Sequence, residues 1–256
     1  MTVSILNSAD QEFGLNVQLG LVPGVSFNNK FGRNITTATS DAIWAISTPY
    51  VVPAAAGVLS FSSTGTANTS TGTGARTVSF TGLDSNYNEV TETITLNGVT
   101  PVLSSGSYWN VQRAFVATGG TADGATCNIN ITSTVAGSTQ MGTILFSYNQ
   151  TQSTIYWVPQ GYTGYINLPK VTVQSIETNK LIDIGFFKKT FTGVWRQQVD
   201  FLFVSDHGEY FQQKSFGAPL RFEEKSIILA KCITAGTTGA VDVAVDYDIW
   251  LVANSA

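Results

Sequence analysis

Residues 72–101, GTGARTVSFTGLDSNYNEVTETITLNGVTP, hold two strand patterns joined by a turn. Apolar side chains fall at Val78 and Phe80, then at Val90, Ile94 and Leu96, with Thr77, Ser79, Thr91, Thr93 and Thr95 at alternate positions. A period of two arises when one sheet face packs on a core and the other meets water or a partner. Val and Thr, branched at Cβ, suit that pleated surface. Between the strands, Gly82–Asn88 is dense in residues that tolerate turn geometry. Asn97-Gly98 adds a further hairpin signal, since a type I′ turn needs positive φ at both central residues. The stretch predicts a hairpin around which the neighbouring strands assemble.

Downstream, Tyr108–Thr118 reads as the next strand, Gly119–Gly124 as a turn, and Ala125–Thr132 and Met141–Tyr148 as further strands. Upstream, Trp44–Phe61 gives two short β-like runs around a Pro/Ala/Gly corner, and Thr64–Thr73 a polar loop. Residues 1–35, with Gly20, Pro23, Gly24 and the run FNNKFGRN (27–34), predict an extended N-terminal arm with one or two short strands and no helix.

Near Asn149–Thr154 the chain turns polar and a second series opens: Ile155–Val158, Thr163–Leu168, Val171–Ile176, Leu181–Phe187, Gly193–Val204 and Ser226–Thr234. In the final strand Val241, Val243, Val245, Tyr247, Ile249 and Leu251 alternate with Asp242, Ala244, Asp246, Asp248 and Trp250, which marks a strand central to its sheet. Such spacing with turn signals indicates sandwiches or barrels. The expected fold is all-β: an extended arm over residues 1–35 and two antiparallel β-sandwich, jelly-roll-like domains over 36–149 and 150–256.

Charged residues make up 12% of the chain, about half the roughly 25% of ordinary soluble domains. With a net charge of −4 and 13 basic residues scattered singly, the chain has no phosphate-binding patch, so no nucleic-acid partner is expected. Apolar content of 43% suffices for a packed core. The N-terminal MTVSILNSADQEFG lacks a basic and an apolar signal region, and Pro49 and Pro53 interrupt the longest apolar stretch. Neither secretion nor a membrane span is expected, and assembly falls to the cytoplasm. Cys127 and Cys232 read as free thiols.

Chemistry-bearing clusters are scarce. His207 is the one histidine, so a Ser-His-acid site would need it together with Ser205 or Ser215 and Asp183 or Asp200. No G-x-S-x-G elbow accompanies it, and a histidine in SDHGEY (205–210) reads as a surface-turn residue. Asp84, Asn86 and Asn88 open like a calcium loop, but Glu89 and Thr95 stand where such a loop needs Gly and Glu. Asp242, Asp246 and Asp248 share a strand face that either binds a cation or stays solvated to discourage stray pairing. The reading is therefore non-enzymatic, with no catalytic residue, cofactor or metal site assigned.

KFGRN (30–34), Ile43-Trp44, GTGARTVSFTGL (72–83), EVTETITLNGVTPV (89–102), YWNVQRAFV (108–116) and VPQGYTGYI (158–166) recur in this order. Together they resemble a family of virion structural proteins of tailed bacteriophages, especially those of marine and cyanobacterial hosts. The resemblance covers most of residues 27–170, fades after 180, and implies a particle component located in the virion and assembled in the host cytoplasm. The leading expectation is a capsid-decorating or cement protein on the major capsid protein shell, possible as a homo-oligomer such as a trimer. The alternatives are a neck or tail adaptor, a fibre-anchoring protein, or a carbohydrate-binding host-recognition module. Partner contact is expected at Phe27, Asn28, Lys30, Phe31, Gly32 and Arg33, the two Phe rings filling pockets and Lys30 and Arg33 making rim contacts.

Overall fold

A computed structural model describes residues 13–254 apart from 48, 136–138, 216–217 and 236–240, and omits the side chains of 176–180 and 205–207. The described residues form one short helix, α1 (Phe13–Gln18), and thirteen strands: β1 (Val25–Asn34), β2 (Gly57–Ser63), β3 (Ala75–Asp84), β4 (Glu89–Thr95), β5 (Val102–Gly119), β6 (Ile129–Ser133), β7 (Gln140–Ile144), β8 (Tyr156–Trp157), β9 (Tyr162–Lys189), β10 (Trp195–Gln213), β11 (Leu220–Phe222), β12 (Ile227–Ala235) and β13 (Val241–Ala253). The fold is all-β and its sheets are antiparallel. Among the described residues, no helix is long and apolar enough to cross a membrane.

The first sheet has six strands in the order β4-β3-β5-β2-β6-β7. The β3–β4 hairpin closes with Leu83 opposite Glu89. Asp84 holds its turn: one carboxylate oxygen accepts from the backbone N–H of Asn86 at 2.8 Å and of Asn88 at 2.9 Å. The calcium-like spelling of that loop is thus used to cap the turn. Val78, Phe80, Ile94 and Leu96 point into a core with Leu59, Phe61, Tyr108, Ile129, Ile131 and Ile144, whereas Val90 lies at the surface. Asn97-Gly98 turns the chain but makes no hairpin, because β3 lies between β4 and β5. Of that pair only Gly98 has positive φ (62°), so the type I′ geometry is not formed.

The second sheet has seven strands, organised on β9. One side of β9 pairs with β13 at residues 162–175 and with β12 at 182–189, and the other pairs with β10 and β11. The runs expected as three strands at 163–168, 171–176 and 181–187 form this single strand. Pro169 does not end it, since the ladder to β13 is already interrupted there by a bulge opposite Asp246 and Asp248. Leu168 takes the bulge's left-handed conformation, φ 54°. The sheet folds onto itself, bringing Phe186 within 5.5 Å of the Tyr247 ring and 5.9 Å of Phe201. Val171, Val173, Ile182, Ile184, Val243 and Val245 fill the same core. As the alternation in β13 indicates, its six apolar residues are buried, and β1 and β9 flank it on either side.

Two expectations for residues 1–35 need correction. A helix does form: α1 docks Phe13 against Trp250 at 5.6 Å and ends in a left-handed Gly20, with Leu21 N–H bonded to Asn16 and Gly20 N–H to Val17. That Schellman closure, with tertiary docking, overrides weak helix propensity. From Val25 onward, moreover, the chain is no free arm. It pairs with β13 in an unbroken register from Val25 opposite Val252 to Asn34 opposite Val243. The inward residues Lys30, Gly32 and Asn34 are polar or small. A period-two burial made of such residues leaves no hydrophobic alternation to read.

A third core joins the sheets, with Trp44, Leu83, Tyr87, Ile155, Trp157, Ile227 and Leu229 at its centre. Tyr87, Trp109 and Trp157 cluster together, with ring centres 5.0 Å apart for Tyr87–Trp109, 6.3 Å for Tyr87–Trp157 and 6.1 Å for Trp109–Trp157.

Candidate functional site

All six residues expected to meet a partner lie on β1, at the joint between the two sheets. One edge of β1 is laddered to β13. At the other, Ser153 N–H donates to the Phe31 carbonyl at 2.8 Å and the Arg113 guanidinium donates to the Asn29 carbonyl. Both backbone edges are therefore occupied within the chain.

Alternation sends Asn28, Lys30 and Gly32 inward. Asn28 approaches the Tyr156 hydroxyl at 3.5 Å, and the Lys30 ammonium donates to the Gln112 carbonyl. Gly32 is packed so tightly that a Cβ there would lie 2.4 Å from the Ile43 carbonyl oxygen and 2.7 Å from the Thr154 nitrogen. Phe27, Phe31 and Arg33 face outward and are half-buried. Phe27 meets Trp250 edge-on at 5.0 Å, Arg113 lies 5.6 Å over the Phe31 ring, and Arg33 binds both carboxylate oxygens of Asp242.

A cavity of about 110 Å³ opens beside Lys30, lined also by Asn28, Thr81, Glu89, Arg113 and Tyr156. Burial, reinforced by the Arg113 charge and opposed by Glu89, lowers the Lys30 ammonium to about 7. Glu89, on the exposed rim, has its carboxyl raised by loss of surrounding water against the pull of Lys30. Burial lowers Arg113 and raises the Tyr156 phenol far above its ordinary value. At neutral pH this joint thus holds a lysine divided between charged and neutral forms. Its acceptor strand is fixed in turn: Gln112 accepts from Trp157 N–H at 3.1 Å and from the Asn110 amide at 2.9 Å. Sequence reasoning missed Gln112, Arg113, Thr154 and Trp157. The one available signal was Gln112 itself, a polar side chain on the buried stripe of YWNVQRAFV.

The outward face of the second sheet is polar and concave. Arg33, Thr172, Gln174, Glu209, Asp242 and Ala244 line a groove of about 270 Å³ across β1, β13, β9 and β10. The three aspartates of β13 lie on this face, each with its own partner: Asp242 with Arg33, Asp246 with Lys170 at 3.5 Å, and Asp248 with the Asn29 amide at 3.0 Å. Among the described residues, no three His, Cys, Asp or Glu side chains are grouped to hold a metal ion.

The side chains of His207 and Ser205 lie outside the described residues. Of their notional partners, Asp200 faces Lys214 at 3.7 Å and Ser215 is exposed. Asp183 has a buried carboxylate oxygen without a partner, and burial, then Asp200, raises its carboxyl. Both cysteines are free, Cys232 buried and Cys127 half-buried.

No protein-family model and no curated protein matches the chain. Similar solved structures include the VP2 subviral particle of infectious bursal disease virus, 10% identical over 89% of this chain and 72% of that one, with a TM-score of 0.24. The Gx strain of the same virus gives 10% identity over 91% and 77%, with a TM-score of 0.20. Likeness at these scores carries no inference to this chain's function, which is argued from its own residues.

Proposed function

We propose that this protein is a non-enzymatic structural component of a tailed-bacteriophage virion, a decorating or cement protein on the major capsid protein shell. The ordered motifs from KFGRN (30–34) to VPQGYTGYI (158–166) support the particle assignment. One structural observation carries the contact role. On the β9–β10 hairpin, Leu181 and Val204 are paired in register and are 44% and 59% exposed, and Leu202, on the same face, is 49% exposed. Grouped large apolar side chains in contact with water favour an interface that buries them. Phe27, Phe31 and Arg33 add an outward rim, while Asn28, Lys30 and Gly32 support the strand from within.

The test uses undecorated heads and the full chain. Replacing Leu202 and Val204 together by Ser leaves the inward core untouched, so the variant folds. Its affinity for heads falls at least about tenfold, given roughly 1.5–3 kcal/mol for burying each aliphatic side chain. Unchanged binding would remove the hairpin from the interface. A particle count in proportion to major capsid protein is expected, and a count matching a single ring would place the protein at the neck or tail.

A further inference from the structure

The polar groove on the outward face of the second sheet shares only Arg33 with the shell contact proposed above. Its floor is made of small side chains, Thr172 and Ala244, which are neighbours in register between β9 and β13. Its walls carry the Arg33–Asp242 pair on one side and Gln174 and Glu209 on the other. Donors and acceptors thus converge on one hollow: guanidinium N–H, amide N–H₂ and hydroxyl against two carboxylates and an amide oxygen. At about 270 Å³ it is slightly smaller than the roughly 300–1,000 Å³ of drug-sized sites. Phe211 stands two residues from Glu209 on β10, opposite Thr172, and at 59% exposure presents a free ring beside the hollow.

Charge narrows the ligand class. Two carboxylates face one guanidinium, and that guanidinium already binds both oxygens of Asp242. An anion would meet net repulsion, and a divalent cation would have to displace Arg33 from its partner. A neutral ligand with several hydroxyls, each able to donate and accept, meets neither obstacle. One with an apolar ring face also matches the aromatic side chain at the rim. We infer that this groove binds a neutral carbohydrate, one or two sugar rings at a time, with the hydroxyls on Asp242, Glu209, Gln174 and Arg33 and a ring face on Phe211. The inference is independent of a place on the capsid shell.

The experiment titrates the isotopically labelled full chain with neutral hexoses and their disaccharides, with a uronic acid and calcium chloride alongside, following backbone amide signals by NMR. Saturable shifts centred on Thr172, Gln174, Glu209, Asp242 and Ala244 are expected for at least one neutral sugar. Affinity should be weak, on the order of millimolar. Phe211→Ala and Glu209→Gln, both at exposed positions, should each weaken it about three- to tenfold while the remaining spectrum stays folded. Overturning results are no saturable shift with any neutral sugar, shifts centred elsewhere, tighter binding of the uronic acid or calcium, or affinity indifferent to both variants.

Discussion

Lys30 shows how one residue can sit in a structural joint, bonded to a backbone carbonyl, and still cost stability. Its ammonium is enclosed at the sheet junction, where burial lowers it from 10.5 to about 7. Between those two values the unfolded chain holds a proton that the folded chain has released, so this lysine makes stability rise with pH across that window. Below about pH 7 both states are protonated and the full penalty applies. Lys30→Met removes the titration but leaves the Gln112 carbonyl without its donor. Its melting temperature, relative to the parent, should therefore be most favourable near pH 6 and decline steadily towards pH 10. Paired thermal scans over that range check it, and a constant difference would mean that the ammonium is hydrated. Neither the burial nor the shift was visible in FNNKFGRN, where Lys30 reads as a rim cation. What hides it is the identity of its inward neighbours, a glycine and two asparagines, which carry no hydrophobic signature.

At the level of elements, alternation was legible wherever the inward residues were apolar. β13 and the β3–β4 hairpin are the clear cases, with Val241, Val243, Val245, Tyr247, Ile249 and Leu251 buried on one face of β13 and Val78, Phe80, Ile94 and Leu96, though not Val90, buried in the hairpin. Legibility failed where a strand continued through a residue that normally punctuates. β9 passes through Leu168-Pro169 because a bulge removes the need for a ladder donor there, and no local signal separates that case from a turn. The bulge holds Leu168 at φ 54°, a conformation costing a non-glycine residue roughly 1–2 kcal/mol. The side chain is 38% exposed, so its truncation loses little packing. Leu168→Gly should thus be neutral or stabilising by up to about 1 kcal/mol in urea denaturation, where most Leu→Gly changes in a strand destabilise. A clear loss would show that the Leu168 side chain contributes more than its backbone strain costs.

Taken whole, the molecule joins its sheets through aromatic rings and a buried amide. Trp157 is central: it packs in the joining core, stacks with Tyr87 and Trp109, and its backbone bonds to Gln112. Trp157→Ala should cost about 3–5 kcal/mol and turn one unfolding transition into two, as seen by comparing tryptophan fluorescence with far-UV circular dichroism. Coincident transitions in the variant would mean that β1 and the Lys30 contact suffice to couple the sheets. Composition and the lack of helical pattern foretold sheet-built bodies. The strand that ties them together was not foreseen, since its Arg33 and the partner strand's Asp242 are 209 positions apart.

That distance has a consequence during synthesis. Arg33 and Asp242 meet across 209 positions, so the β1–β13 ladder forms only after β13 itself has left the ribosome. Loop closure on that scale is slow compared with local hairpins. A nascent product stalled before residue 241 leaves Val25–Asn34 with no ladder partner, an open template for a neighbouring chain. Only a copy extended through β13 can cover that edge, so shorter products are marked for aggregation or removal.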